Sequence, residues 1–240
     1  ELAAPPQVVE EIVPHEIKWR LDLAVGGGMD MPLDKSYGVF AGDESLPMGR
    51  LDIDVGMSFP IGDRGLYMGG RLGYRMFAWE FYDVHGVWLP TYRNQEINVG
   101  ARLGFAVLDG VEPYMDVSGG PSFWRSDEDE SLDLGTSALE PDGSPGALVP
   151  THLEARNIGF VKGVAGLQLY LPRKWLPRKE GSRVTVGLDV NVGYVWRPTF
   201  DLTLVQKDSV EGEITKNFPT FGSLDTSGIT WSAGLFLRVM

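Results

Sequence analysis

The stretch from Arg183 to Arg197 carries an apolar residue at every second position. These residues are Val184, Val186, Leu188, Val190, Val192, Tyr194 and Trp196, and polar or small residues fill most of the positions between them. A period of two predicts a β-strand with one apolar face and one polar face. Strands of soluble proteins usually run about five or six residues, whereas a tilted strand that crosses a bilayer needs roughly nine to eleven. The stretch therefore favours a strand long enough to span a membrane.

Seven further segments repeat this alternation. They cover about residues 17–25, 50–59, 66–76, 96–105, 115–123, 156–171 and 229–239. We read Gly26, Gly27 and Gly28 as the opening of a loop that lasts to about Gly49, and residues 126–153 and 199–225 as two more long loops. The connections then alternate between long and short along the chain. This alternation predicts an antiparallel meander whose short turns lie at one end and whose long loops lie at the other.

Composition narrows the class of protein. The 31 glycines among the 240 residues favour an all-β chain. The chain has no cysteine, and so no thiol for disulfides, catalysis or metal binding. No apolar run approaches the roughly 18 residues of a membrane helix. The formal net charge of −12 argues against a nucleic-acid partner, which would need a basic face.

Large aromatic residues fall into two groups along the predicted strands. Trp19, Phe59 and Phe105 lie near the turn end, and Tyr74, Phe123, Tyr194, Trp196 and Trp231 lie near the loop end. Two aromatic belts that flank an aliphatic band are expected where a barrel crosses both membrane interfaces. In the alternative, a soluble lipocalin-like barrel or sandwich, the same apolar faces would form the core. The belts and the sorted connections favour the membrane interpretation.

Glycine-rich phrases strengthen this interpretation, for example Gly69-Gly70-Arg71-Leu72-Gly73-Tyr74 and the segment Asn98–Phe105. With eight such runs, residues 16–240 resemble small outer-membrane barrels of the OmpA, OmpX, OmpW and opacity-protein kind. The resemblance implies an eight-stranded antiparallel up-and-down transmembrane β-barrel, with long extracellular loops and short periplasmic turns, in a Gram-negative outer membrane. One departure is the end of the chain at Met240, where such proteins usually carry an aromatic residue.

The chain divides into two parts under this interpretation. Residues 1–14 are a Pro-rich, extended periplasmic lead-in, and residues 15–240 are the barrel. The first residues lack the basic and apolar regions of a signal peptide, so we interpret the chain as the processed form. The expected partners are outer-membrane lipid or lipopolysaccharide, and an envelope protein that meets the loops or the N-terminal segment. We expect no cofactor.

Charged residues occupy the inward positions of the predicted barrel. The predicted lumen network consists of Lys18, Arg20, Asp22, Asp52, Asp54, Arg71, Arg75, Glu96, Arg102, Asp116, Asp189 and Arg238, and Glu16, Arg50, Lys162 and Arg197 also face inward. An eight-stranded barrel is only wide enough for its side chains to fill the interior. Because buried charges must pair, the near balance of signs predicts a plugged lumen rather than a pore, which would favour a ring of one sign.

Two further chemistries have weak candidates. Asp127, Asp129 and Asp133 place oxygen ligands at alternating positions, but the Glu of a calcium loop is replaced by Ala138, so a solvated acidic loop is favoured over a metal site. The histidines are His15, His85 and His152, and the sequence has no Gly-x-Ser-x-Gly pattern. We therefore expect no enzyme, and predict a structural or recognition barrel acting in adhesion or in an envelope complex. A small-solute channel is the alternative, followed by a lipid-modifying enzyme.

Overall fold

The computed structural model describes residues 19–34, 47–62, 65–77, 92–108, 110–126, 151–171, 184–206 and 220–240. No helix in these ranges is long and apolar enough to cross a membrane. The long strands are β1 (Arg20–Pro32), β2 (Met48–Ile61), β3 (Leu66–Phe77), β4 (Tyr92–Phe105), β5 (Val111–Ser126), β7 (Arg156–Tyr170), β8 (Val184–Trp196) and β11 (Gly228–Val239). Three short strands are β6 (Thr151–Leu153), β9 (Phe200–Gln206) and β10 (Thr220–Leu224).

The eight long strands form one closed antiparallel barrel, in the order β1-β11-β8-β7-β5-β4-β3-β2. Each strand pairs with its sequence neighbours among the long strands, and β1 closes the barrel against β11. Following the register from Asp22 once around the barrel returns to β1 at Pro32, ten residues further along. Such a stagger goes with strands tilted by about 35–45° to the barrel axis. The predicted fold class, an eight-stranded antiparallel barrel, is confirmed.

The two ends of the barrel are distinguished by their connections. We call the end that carries the connections β2–β3 (residues 62–65) and β4–β5 (residues 106–110) the turn end, and the opposite end the loop end. The β2–β3 turn contains Gly62 and Gly65 at φ values of 61° and 75°, a backbone conformation that residues with a Cβ rarely adopt. Glycine therefore allows the chain to reverse tightly at this end.

The first strand is longer than predicted. We expected a loop from Gly26, but β1 continues to Pro32, and Gly26 pairs with Asp52 on one side and Gly234 on the other. The hydrogen bonds between strands join backbone groups only, so glycines can take part in them. A Cβ on Gly28 would lie 2.8 Å from a terminal nitrogen of Arg50. The glycines thus leave interior space that an arginine occupies.

Three of the barrel strands continue beyond the loop end. β6, β9 and β10 lie next to β7, β8 and β11 in the chain, and they form a three-stranded sheet in the same lateral order, β10-β9-β6. Residues 126–153 and 199–225, which we predicted as long loops, therefore contain strands. We call this sheet the loop-end sheet.

The barrel has the opposite polarity to a soluble protein. Large apolar side chains of every barrel strand are exposed, including all seven outward residues of β8 from Val184 to Trp196. Arginine, aspartate and glutamate side chains are buried in the interior. An aliphatic exterior over a charged interior is the arrangement expected when the surrounding solvent is lipid. The alternative in which the apolar faces form a soluble core is wrong.

Candidate functional site: the charged lumen

Six side chains at the loop-end half of the lumen form a closed ring of alternating charge. The ring runs through Asp30, Arg50, Asp52, Arg75, Glu96 and Arg197 and returns to Asp30. Arg197 joins the two ends, with nitrogen–oxygen distances of 2.6 Å to Asp30 and 2.8 Å to Glu96. The three arginines and three carboxylates cancel in charge. We call this set the ion-pair ring.

The ring is enclosed by protein. Each of its six side chains is at most 9% exposed. Its members come from β1, β2, β3, β4 and the residue after β8, so the ring links strands across the lumen. Ser122 donates a hydrogen bond of 3.2 Å to Glu96, and Arg197 donates one of 3.0 Å to the carbonyl oxygen of Thr226. Buried charges held this way are costly to separate, because each loses its partner where water is excluded.

An apolar layer covers the ring at the loop end. Trp124 from β5 contacts Phe200 from β9, with ring centroids 5.2 Å apart. Leu202 and Leu224 of the loop-end sheet are also buried. We call these four residues the apolar cap. The side chains of the apolar cap cannot replace the hydration shell of an ion. The charged side chains of the ring are already paired with one another.

A second set of polar side chains fills the turn-end half of the lumen. Its members are Arg20, Asp22, Asp54, Arg71, Arg102, Glu112, Tyr114, Asp116, Gln168, Asp189 and Arg238, which we call the turn-end network. Arg238 is one hub, because it binds Asp22 through two nitrogens at 2.7 and 2.8 Å and Glu112 at 3.0 Å. Asp189 is the other, accepting hydrogen bonds from Tyr114 at 2.5 Å and Gln168 at 2.9 Å.

The turn-end network borders a cavity, unlike the ring. The cavity has a volume of about 330 Å³ including the open space at its mouth, and Asp22, Asp54, Arg71, Arg102 and Gln168 are among its lining residues. The Asp54 side chain is 20% exposed, the most of any carboxylate in this network. The turn-end network therefore leaves a small cavity beside Asp54, whereas the ring side chains are enclosed.

The structure brings most of the predicted lumen residues together. Asp52, Arg75 and Glu96 belong to the ion-pair ring. The turn-end network contains Arg20, Asp22, Asp54, Arg71, Arg102, Asp116, Asp189 and Arg238. Lys18, which we predicted in the lumen network, and Glu16, which we predicted to face inward, lie outside the described residues. Lys162, also expected to face inward, is buried.

Asp30 and Glu112 were missed by the sequence analysis. Asp30 lies in the part of β1 that we took for a loop, although it has the same even-numbered parity as Asp22. Glu112 lies four residues before Asp116 in β5 and shares its parity, but the weak alternation at the start of that strand concealed it. The parity alone would have identified both residues. The partners could not be identified, because they lie on other strands.

The predicted belt residues lie on the outside of the barrel. Seven of them are exposed: Trp19, Phe59, Tyr74, Phe105, Tyr194, Trp196 and Trp231. Phe123 is half-buried. By strand position, Trp19, Phe59 and Phe105 lie at the turn end of the barrel, and the other five belt residues lie toward the loop end. Other aromatic side chains, including Phe77, Phe160 and Phe236, point inward and are buried, which the sequence analysis did not predict.

Of the remaining candidate residues, only His152 lies within the described ranges. Asp127, Asp129 and Asp133 lie outside the described residues, as do His15 and His85. His152 lies in β6 and pairs with Val205, but its side chain is not described. Within the described ranges, no cluster of three or more His, Asp or Glu side chains has an arrangement suited to a metal ion.

No protein-family model and no curated protein matches the chain. Among solved structures it is similar to the outer membrane protein OprG from Pseudomonas aeruginosa, with 8% identity, coverage of 93% of this chain and 97% of that one, and a TM-score of 0.49. It is also similar to Ail, the attachment invasion locus protein of Yersinia pestis, with 11% identity, coverage of 92% and 99%, and a TM-score of 0.44. Neisserial surface protein A is similar as well, with 12% identity, coverage of 92% of this chain and 96% of that one, and a TM-score of 0.41.

Proposed function

We propose that the chain is an integral outer-membrane barrel with a closed lumen, which acts as a structural or recognition protein through its loop end. The observation that carries this proposal is the ion-pair ring. Three arginines and three carboxylates form a neutral circuit beneath the apolar cap. A solute that crossed the barrel would have to separate these pairs and displace the cap.

Residence in a membrane is supported by the exterior. Val186, Leu188 and Val190 are about half exposed in the middle of β8, where a water-soluble barrel would carry polar side chains. The eight long strands form a closed barrel, so their backbone groups are paired between neighbouring strands with no free edge, as a lipid environment requires. We assign the bilayer to the bacterial outer membrane, where barrels of this kind occur.

Recognition at the loop end is supported by the loop-end sheet. This sheet extends β7, β8 and β11 past the outward aromatic residues Tyr194 and Trp196. Its exposed residues include Asp201 and Ser223, joined by a hydrogen bond of 2.6 Å. A folded polar surface held beyond the lipid region can meet a partner outside the membrane. We place this end on the cell exterior and propose adhesion or participation in an envelope complex, without catalysis.

A small-solute channel is the second candidate, and the turn-end cavity favours it. The cavity leaves space beside Asp54 and Arg71, whose side chains are 20% and 12% exposed. The ring lies between that cavity and the apolar cap. A channel would therefore need the ring to open, whereas a structural barrel needs it to remain closed.

Single-channel recording in planar bilayers tests the proposal. We expect the purified chain to give no steady openings, after its insertion has been established by the heat-dependent shift in its electrophoretic mobility. A double variant Arg75→Ala and Arg197→Ala removes two of the three ring arginines and serves as the comparison, since loss of the ring should increase the leak. Steady conductance of the unmodified chain would overturn the closed lumen.

A further inference from the structure

One charged side chain of the lumen belongs neither to the ion-pair ring nor to the turn-end network. Lys162 points inward from β7 and is 7% exposed. Among the residues that the structure describes, none forms a salt bridge, hydrogen bond or ring contact with Lys162, whereas every lumen arginine has a carboxylate partner. A buried ammonium group without a partner is costly, because an ion that leaves water needs a counter-charge and hydrogen-bond acceptors.

Two further polar groups near Lys162 lack a hydrogen-bond partner among the described residues. Ser118 lies directly opposite Lys162 in the β5–β7 ladder, which places their Cβ atoms about 4.5–5.5 Å apart, and the Ser118 hydroxyl is buried and unpartnered. The guanidinium carbon of Arg75 lies 5.8 Å from the ring centroid of Phe160, the next inward residue of β7. One terminal nitrogen of Arg75, Nη2, is also buried and unpartnered. All three groups therefore face the same part of the lumen.

These three groups cannot satisfy one another. Ammonium and guanidinium groups only donate hydrogen bonds, so Lys162 and Arg75 both need an acceptor. The Ser118 hydroxyl and a water molecule can accept a hydrogen bond, but neither supplies a counter-charge. A small anion supplies both, and an unpartnered buried polar group often marks an ordered ion or water. Phe160 and Val195, which flank Lys162 on β7 and β8, are buried, so this part of the lumen is enclosed and suits a small ion.

Long-range charge balance is the alternative explanation for Lys162. The ion-pair ring is neutral, and the turn-end network contains four arginines and five carboxylates, so the ammonium group of Lys162 makes the totals equal. Each of those five carboxylates, however, already has an arginine nitrogen at 3.3 Å or less. Balance at a distance also leaves the ammonium group without a hydrogen-bond acceptor.

We propose that Lys162, Ser118 and Arg75 hold a single chloride ion inside the barrel. Lys162 provides the counter-charge, and the Ser118 hydroxyl and Nη2 of Arg75 donate hydrogen bonds to the ion. This inference goes beyond the proposed function, because it assigns a ligand to the interior and does not depend on what the loop end binds. Single-channel recording tests the closed lumen separately, so either conclusion can fail without the other.

The dependence of stability on chloride tests this site. Unfolding by urea in phosphatidylcholine vesicles is measured while chloride replaces gluconate at constant ionic strength, from about 1 mM to about 1 M. An ion that binds only the folded chain stabilises it by mass action. We therefore expect the unfolding equilibrium constant to fall about tenfold for each tenfold rise in chloride above its dissociation constant. An unfolding constant that does not change with chloride would overturn the site and favour long-range charge balance.

Replacing Lys162 with methionine assigns the chloride effect to this side chain. We expect Lys162→Met to lose the dependence on chloride and, in gluconate, to be more stable than the original chain, because an uncompensated buried charge has been removed. Arg156→Met is the matched control. It removes a positive charge that is paired with Glu154 at 2.8 Å, and should retain the full chloride dependence. Chloride dependence that survives in Lys162→Met would contradict the assignment.

Anomalous diffraction from the unmodified chain remains decisive even where Lys162→Met does not form a barrel. Crystals grown with bromide in place of chloride should show an anomalous difference peak within hydrogen-bonding distance of Nζ of Lys162 and Oγ of Ser118. The absence of a peak at this position would rule out the site. A bromide peak without any effect of chloride on stability would identify an adventitious ion only, and would likewise count against the proposal.

Discussion

At the scale of single residues, the lumen depends on pairing. The inward parity of Asp52, Arg75 and Glu96 was predictable, because alternate residues of a strand face the same side. The identity of their partners was not, since Arg197 reaches Asp30 across 167 positions of sequence. Tilt and stagger decide which inward residues share a level, and alternation carries no information about either. The charged residues at inward positions predicted a balanced interior, and only the closed barrel reveals an ordered ring.

Replacing Arg197 with methionine tests the energetic role of the ring. Arg197→Met leaves Asp30 and Glu96 buried with one partner fewer, so we expect the free energy of unfolding to fall by about 3–5 kcal/mol. Urea titration in lipid vesicles measures this change. Arg156→Met is the control, because the Arg156–Glu154 pair has side chains 33% and 40% exposed and should contribute about 1 kcal/mol or less. Equal losses in the two variants would show that the ring has no special energetic role.

At the scale of secondary structure, all eight barrel strands were predictable and their limits were not. The run of three glycines at Gly26 looked like a loop because glycine is depleted in strands, yet the barrel needs interior space there for Arg50. β6 and β10 were missed because short strands show too few alternations to reveal a period. β9 lies within residues 199–225, which we took as a loop. Its pairing with β10 is non-local, so local pattern could not find it.

The loop-end sheet should depend on the apolar cap. Leu224→Asn places an amide where the side chain is fully buried, and we expect amide hydrogens of β9 and β10 to exchange at least tenfold faster, corresponding to a local loss of about 1.4 kcal/mol or more. The exchange of the barrel strands should not change. Thr199→Asn is the control, because Thr199 is exposed immediately before β9. Unchanged exchange in Leu224→Asn would mean that the cap does not stabilise this sheet.

At the scale of the whole molecule, the exterior and interior have exchanged the roles they have in soluble proteins. Alternation predicted two faces for each strand, but alternation alone is compatible with either face pointing inward. The sorted connections and the aromatic groups favoured the apolar face as the exterior, and the closed barrel has that orientation. The alternation of apolar and polar residues along each strand thus accounts for both the charged interior and the apolar exterior. The account as a whole therefore depends on lipid contacting the outer face.

Arginine substitution at two depths of β8 measures that contact most directly. Val190 lies in the middle of the strand and Val184 at its turn end, with exposed fractions of 48% and 51%. For unfolding from lipid vesicles, we predict that Val190→Arg lowers the free energy of unfolding by about 2–4 kcal/mol and Val184→Arg by about 0–1 kcal/mol, because the cost of a charge rises toward the bilayer centre. Equally small losses at both positions would contradict a membrane-spanning barrel.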